Sequence, residues 1–106
     1  MEEYVDSSGH SPFATWFDRL DAIAAAKVVV ALGRLERGAT SNVKAVGAGV
    51  AEFKIDFGPG YRVYFGQDGG ELVILLVGGT KVRQQRDIET ANAHWHDYKV
   101  RKKGTN

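Results

Sequence analysis

The chain has 106 residues, of which 43% are apolar and 25% charged, and a formal net charge of +1, a composition that is ordinary for one soluble globular domain. It contains no cysteine, which excludes disulfides and thiolate metal sites and suits the reducing cytoplasm that we expect for this protein. Its acidic, polar first ten residues predict no signal peptide, and its longest apolar run, LVILLV, is too short to span a bilayer.

The N-terminal region is predicted to form a short strand and then a helix. We expect the strand at Tyr4–Val5, before turn residues. Ser11 and Pro12 then mark a helix start, because serine caps the free amide groups of a first turn and proline fits the first helical position. The apolar face of this helix is expected at Phe13, Trp16, Phe17, Leu20 and Ile23.

A second helix is predicted to begin at Asp21, its N-cap, and to end before Gly38, which suits the position just after a last helical turn. A break near Asp21 would make a helical hairpin, and one long helix is the alternative. The apolar positions of this segment include Val28, Val29, Leu32 and Leu35.

Two strands with alternating apolar and polar side chains follow, joined by the turn GPG at 58–60. In the first strand, VAEFKIDF, the polar face carries Glu52, Lys54 and Asp56. In the second strand, YRVYFG, Arg62 and Tyr64 are expected to face outward on that same polar side. The inward-facing side chains are expected to be Ala51, Phe53, Ile55, Phe57, Tyr61, Val63 and Phe65.

The segment ELVILLVGG is apolar on both faces, which predicts a central strand that is covered on both sides. A helix follows it, and residues 99–106 are expected to form a flexible basic tail. No linker divides the chain, so we expect a single domain over residues 1–106. The apolar face of the last helix is expected at Ile88, Ala91, Trp95 and Tyr98.

The hairpin between the alternating strands brings basic side chains close together. If its loop is the three residues 58–60, Asp56 pairs with Arg62 and Lys54 pairs with Tyr64 across the strands. Lys54 and Arg62 are then diagonal neighbours on one face, where two like charges repel each other. An outward-facing surface would tolerate this arrangement with Asp56 between them, and a phosphate site would require it, because an arginine fork and a lysine charge both bind phosphate.

Positive charge is concentrated towards the C-terminus of this nearly neutral chain. Such an end favours a polyanionic partner, and a solvated tail is the alternative. The bases between residues 81 and 103 are Lys81, Arg83, Arg86, Lys99, Arg101, Lys102 and Lys103.

Four stretches of the chain carry a family resemblance: SPFATWFDRL, GVAEFKIDFGPGYRVYFG, LVILLVGGTK and the run K-x-x-Q-x-x-D-I of Lys81, Gln84, Asp87 and Ile88. Together they resemble the RelE/ParE toxin superfamily, and most closely its HigB-related subgroup of addiction module killer proteins. The resemblance covers about residues 3–98. It implies an α+β fold, in which a small, twisted, mostly antiparallel sheet carries the N-terminal helical hairpin on one face and a short C-terminal helix.

The resemblance further implies the toxin of a type II toxin–antitoxin system, which cuts messenger RNA on the ribosome. A cognate antitoxin, expected to be a small helix-turn-helix protein, would neutralise it in a hetero-oligomer. The family's basic catalytic positions match Arg62, Lys54 and Lys81. Such cleavage needs no metal and no cofactor, because basic side chains can stabilise the charge that develops when an RNA 2′-hydroxyl attacks the adjacent phosphorus.

The other site residues expected from the sequence are Arg83, Arg86 and Lys44 for RNA binding, and Tyr98 and His94 as general acid or base. RNA cleavage usually requires a general base and a general acid, and the sequence offers no clear one. A non-enzymatic toxin that binds and inhibits DNA gyrase, as ParE-like relatives do, is therefore the alternative. No membrane partner is expected.

Overall fold

The computed structural model describes residues 1–70 and 72–104, which form one five-stranded sheet with helices on both faces. The strands are β1 (Glu2–Glu3), β2 (Val43–Gly47), β3 (Val50–Ile55), β4 (Tyr61–Asp68) and β5 (Leu72–Thr80). The helices are α1 (Pro12–Asp18), α2 (Ala22–Glu36), a 3-10 turn (Lys81–Arg83) and α3 (Gln84–Gly104). The strand order is β1-β5-β4-β3-β2, with β1 parallel to β5 and the other neighbours antiparallel. The predicted α+β class is confirmed.

The two N-terminal helices begin where their capping residues predicted. The Ser11 hydroxyl accepts a hydrogen bond from the Ala14 amide (3.1 Å), and the Asp21 carboxylate accepts one from the Ala24 amide (2.8 Å). The chain turns between α1 and α2, so the helical hairpin is confirmed and the single long helix is wrong. Gly38 follows α2 with φ 98°, a left-handed conformation that favours glycine.

The helical hairpin covers one face of the sheet and encloses an apolar core, as predicted. Ile23 and Val29 do not belong to it, because they are 66% and 57% exposed. The break at Asp21 restarts the helical phase, so the apolar stripe of α1 does not continue into α2. The helical side chains of this first core are Phe13, Ala24, Val28, Leu32 and Leu35, with Trp16, Phe17 and Leu20 partly buried against them. The sheet contributes Phe53, Ile55, Tyr61, Val63, Phe65, Val73 and Leu75.

The helix α3 covers the opposite face of the sheet and encloses a second core. Its predicted apolar face is confirmed, since Ala91 and Trp95 are buried and Ile88 and Tyr98 pack beside them. Because α3 closes this face, β5 is covered on both sides as its apolar sequence predicted. The sheet and N-terminal side chains of this second core are Tyr4, Val50, Tyr64, Ile74 and Leu76.

Two expectations about the chain ends differ from the structure. The C-terminal helix has 21 residues and is not short, and it includes residues 99–104, which we assigned to the tail. Residues 105–106, and Glu71 before β5, lie outside the described residues. At the other end, the first strand is at Glu2–Glu3 and not at Tyr4–Val5, because the pairing with β5 is made by Glu2 and Glu3 and ends at the Tyr4 amide, which donates to the Leu75 carbonyl (2.8 Å).

The β3–β4 hairpin has a different register from the one predicted. Lys54 lies directly opposite Arg62, and Ile55 lies opposite Tyr61. The strand β3 ends at Ile55 and β4 begins at Tyr61, so five residues, 56–60, connect them. Within this turn, the Gly60 amide donates a hydrogen bond to the Phe57 carbonyl (3.0 Å). The predicted pairing of Asp56 with Arg62 is therefore wrong, although Lys54 and Arg62 share one face of the sheet as expected.

Candidate functional site

The three basic residues expected to be catalytic line one groove at the end of the sheet. Lys54, Arg62 and Lys81 surround an open groove of about 390 Å³, together with residues 56–60 of the hairpin turn. The fold brings them together for simple reasons. Lys54 and Arg62 are cross-strand partners, and Lys81 follows Thr80, which lies opposite Tyr61.

Arg62 differs from the two lysines in its exposure. The side chains of Lys54 and Lys81 are exposed, whereas Arg62 is only 7% exposed. The expectation that Arg62 and Tyr64 face outward into solvent is wrong, because α3 covers this face and Tyr64 is fully buried. Arg62 therefore reaches the groove from within a packed layer and presents little of its side chain there.

A buried carboxylate lies beside Arg62. Glu52 is 4% exposed, and its Oε1 lies 3.7 Å from the Nε of Arg62. Its Oε2 accepts hydrogen bonds from the Tyr64 hydroxyl (2.9 Å) and the Gln84 side-chain amide (2.8 Å). Buried charges require this kind of compensation, since an unpaired charge in a protein interior is very costly. Burial, and then the bond to Glu52, raise the pKa of Tyr64 far above its ordinary value, so its hydroxyl keeps its proton.

Two consecutive glycines at the end of β5 allow both faces of the sheet to close near the groove. A Cβ atom on Gly78 would lie within 3 Å of the Trp16 ring on the hairpin side. A Cβ atom on Gly79, which lies opposite Arg62, would lie within 3 Å of the Asp87 carboxylate on the α3 side. Burial raises the pKa of Asp87, against the opposing effect of the guanidinium groups of Arg83 and Arg86.

The residues expected to bind RNA surround the groove but do not line it. Lys44 lies on β2 with its Nζ 4.0 Å from Oε1 of Glu52, and its side chain is largely exposed. Arg83 and Arg86 are exposed in the 3-10 turn and the first turn of α3, next to Lys81. Their positions extend the positive charge of the groove along the adjacent surface.

The two expected acid–base residues lie away from the groove. The Tyr98 hydroxyl donates to Asp68 (2.7 Å), and Asp68 is six residues along β4 from Arg62, or roughly 20 Å. Burial and this bond raise the pKa of Tyr98 to about 12. His94 stacks on Tyr4, with ring centroids 4.8 Å apart, and its burial lowers its pKa.

The sequence analysis missed Glu52, Gln84 and Asp87 as parts of this arrangement. Glu52 shares its strand face with Lys54 and Arg62, and that parity was the available signal for its location. The structure explains two residues of the K-x-x-Q-x-x-D-I run. Gln84 donates a hydrogen bond to Glu52, and Asp87 packs over Gly79.

The described part of the chain offers neither a metal site nor a membrane-spanning helix. Residues 1–70 and 72–104 contain no group of three or more histidine, aspartate or glutamate side chains that could hold a metal ion. No helix in these ranges is both long and apolar enough to cross a membrane.

Comparison with known proteins gives one family and one relative. The family model described as phage-derived protein Gp49-like (DUF891) matches residues 15–96. A protein of Haemophilus influenzae strain Rd, described as uncharacterized, is 42% identical over 80 residues, which are 74% of this chain and 81% of that protein. No solved structure matches significantly.

Proposed function

Since the chain belongs to the Gp49-like family, which is of the toxin and addiction-module type, we propose that it is the toxin of a type II toxin–antitoxin system and cleaves messenger RNA on the ribosome. Within that family type, we assign it to the HigB-related subgroup of the RelE/ParE superfamily. The observation that carries the proposal is the convergence of Lys54, Arg62 and Lys81 on one open groove.

The groove suits a phosphodiester that is attacked by its own 2′-hydroxyl. A bond forms between the 2′ oxygen and phosphorus, the bond from phosphorus to the 5′ oxygen breaks, and a cyclic phosphate and a free 5′-hydroxyl result. Negative charge grows on the phosphoryl and leaving oxygens during this step. Arg62 supplies a planar donor and the two exposed lysines supply mobile charges, so all three can stabilise that charge.

The expected contribution of these residues is moderate. A hydrogen bond to a charged group contributes about 1.5–3 kcal/mol, and each 1.36 kcal/mol of transition-state stabilisation is worth about tenfold in rate. Three cations therefore account for a few powers of ten. We assign the orientation of the RNA and the transfer of its protons to the ribosomal complex, because Tyr98 and His94 lie outside the groove.

An antitoxin partner follows from the same surface. The groove and its surroundings carry the exposed bases Lys54, Lys81, Arg83 and Arg86, and the acid Asp56 lies 3.6 Å from Lys54. An acidic segment of a helix-turn-helix antitoxin would neutralise this charge and block RNA in a hetero-oligomer. Co-purification with the product of the neighbouring gene, and its dependence on salt, tests this expectation.

One observation favours the alternative function, a non-enzymatic toxin that binds DNA gyrase. Neither residue expected to be a general acid or base reaches the groove, and binding to gyrase requires no such residue. Fold alone does not separate the two functions.

The deciding experiment uses the exposed lysines, whose loss should leave the fold intact, because surface substitutions usually change stability little. We expect Lys54→Ala and Lys81→Ala each to lower cleavage of a ribosome-bound message about tenfold or more, with unfolding transitions like the wild type. Lys103→Ala, at the far end of α3, is the matched loss of one positive charge and should cleave normally. A purified protein that leaves ribosome-bound messages intact but blocks supercoiling by gyrase would refute the nuclease and support the alternative.

A further inference from the structure

We propose that Glu52 is a positioning residue for RNA cleavage, an inference that rests on the proposed function. Its buried carboxylate, held by Tyr64 and Gln84, fixes the orientation of the Arg62 guanidinium at the groove. Glu52 itself does not touch the RNA. Its role is to act through Arg62.

The first step of the inference is that Glu52 is itself immobile. It is 4% exposed, and its Oε2 receives one hydrogen bond from β4, through Tyr64, and one from the first residue of α3, through Gln84. Two donors from two different elements fix both the position and the rotation of a carboxylate. Oε1 is then left facing Arg62 at 3.7 Å and Lys44 at 4.0 Å.

The second step concerns the orientation of Arg62. Its Nε is buried and has no hydrogen-bond partner within the described chain, and its nearest ion-pair atom is Oε1 of Glu52. The Nε side of the guanidinium is thus directed into the protein, towards a fixed negative charge. The small exposed part of the residue contributes to the groove, where Lys54 and Lys81 also lie.

The charge of Glu52 argues against a simple electrostatic role in binding RNA. A buried negative charge beside Arg62 weakens the attraction of the groove for phosphate. If net charge alone governed the reaction, removal of this carboxylate would improve the toxin. Positioning predicts the opposite, because a guanidinium misplaced by about 1 Å can lose about a hundredfold in rate.

The test compares Glu52→Gln with the wild type in single-turnover cleavage of a short message on purified ribosomes. The substitution preserves the shape of the side chain and adds one net positive charge to the site. We expect a rate constant at least about tenfold lower, with the half-saturating toxin concentration changed less than about twofold. Glu36→Gln, which removes an exposed carboxylate that pairs with the N-terminus, is the matched control and should cleave normally.

A second measurement reports on Arg62 without any cleavage. The Nε–H of Arg62 should give a resolved NMR signal in the wild type, protected from exchange because the atom is buried. In Glu52→Gln this signal should move and lose its protection, while the backbone amide spectrum stays folded. Tyr64→Phe, which removes one of the two bonds that hold Glu52, should produce a smaller change in the same direction.

The outcomes separate this proposal from the proposed function. A wild-type protein that fails to cut ribosome-bound messages refutes the nuclease, whereas the Arg62 signal still tests the orientation. An active wild type with a Glu52→Gln variant that cuts at the same or a higher rate per folded molecule overturns the positioning role. A variant that only unfolds at a lower temperature, with an unchanged rate and an unchanged Arg62 signal, also overturns it.

Discussion

The two faces of the sheet are both closed by helices, but their interiors differ in chemistry. The face under α1 and α2 buries apolar and aromatic side chains of the sheet, such as Phe53, Val63 and Phe65. The face under α3 combines an apolar core around Trp95 with the buried polar residues Glu52 and Arg62 at its groove end. Apolar burial is the main stabilising term in folding, whereas buried polar groups require specific partners.

From this difference we infer that one face mainly stabilises the fold and the other mainly serves the groove. The hairpin face supplies stability, and we expect it to tolerate apolar substitutions that preserve its volume. On the α3 face, the charged residues Glu52 and Arg62 are buried where apolar side chains could pack, and they are held in one geometry. Substitutions on the two faces should therefore separate stability from activity, and adjacent residues on one strand offer the sharpest comparison, because their side chains point to opposite faces.

The largest expected effects come from the neighbours Tyr61 and Arg62, which are 9% and 7% exposed. Tyr61→Ala leaves a cavity beside Trp16 and should lower the free energy of unfolding by about 3 kcal/mol, while the folded fraction still cuts RNA. Arg62→Ala leaves the Glu52 charge less compensated and should cost about 1–3 kcal/mol, more than a surface substitution would. Its cleavage rate per folded molecule should fall at least about tenfold.

Chemical denaturation and single-turnover cleavage, measured on the same samples, check both halves of this comparison. Arg62→Lys should restore part of the stability but not full activity, since a point charge cannot replace a planar fork. If the folded fraction of Arg62→Ala cuts normally, Arg62 is structural and the division between the two faces fails.

A smaller contrast is expected between Gly78 and Gly79. An added methyl group at Gly78 meets the rigid ring of Trp16, and Gly78→Ala should destabilise the protein by about 2 kcal/mol with unchanged activity per folded molecule. At Gly79 it meets the end of the flexible Asp87 side chain, so Gly79→Ala should cost about 1 kcal/mol or less. It should still slow cleavage, because the Asp87 carboxylate, which packs over the strand position opposite Arg62, must move away from the strand. Equal loss of activity in both variants would contradict this assignment of faces.

The sequence predicted most of the fold because its signals were local. Caps at Ser11 and Asp21, the glycine stop at Gly38 and the alternation in β3 and β4 each depend on a few neighbouring residues. The predicted apolar face of the first helix was wrong at Ile23, because the cap at Asp21 starts a new helix with its own phase. Residue spacing alone does not detect this restart. The hairpin register failed because the turn is five residues long, and the number of residues in a turn is decided by backbone geometry rather than by the alternation pattern.

The sequence predicted that Lys54, Arg62 and Lys81 lie close together, but it did not predict the burial of Arg62. The sequence indicated that β5 is covered on both sides and that the last helix has an apolar face. It did not indicate that this helix also covers Arg62 and Tyr64, because that is a long-range contact between elements separated by β5. The partners Glu52 and Gln84, 32 residues apart in the chain, meet only when α3 docks.

The smallest expected effect is the pH dependence that His94 gives to the α3 face. Burial against Tyr4 lowers the pKa of His94, in spite of the opposing charges of Asp6 and Asp97. As pH falls, the unfolded chain therefore takes up this proton before the folded protein does. The stability that neutral His94 provides is complete above the unfolded pKa, about 6.5, and is lost as pH falls below it. The pKa values of Asp6 and Asp97 are themselves lowered, so these carboxylates stay charged in that range.

The measurement is the unfolding temperature of the wild type and of His94→Phe between about pH 7.5 and pH 5.5. Phenylalanine keeps an aromatic ring against Tyr4 but takes up no proton. We expect the wild type to lose more stability on acidification than the variant does, by a few degrees at most, because one partly buried group is involved. His96→Phe, at an exposed position of the same helix, controls for the loss of an imidazole. Parallel curves for the wild type and His94→Phe would show that His94 is not the source of the acid sensitivity, and the α3 face would then differ from the hairpin face only at its groove.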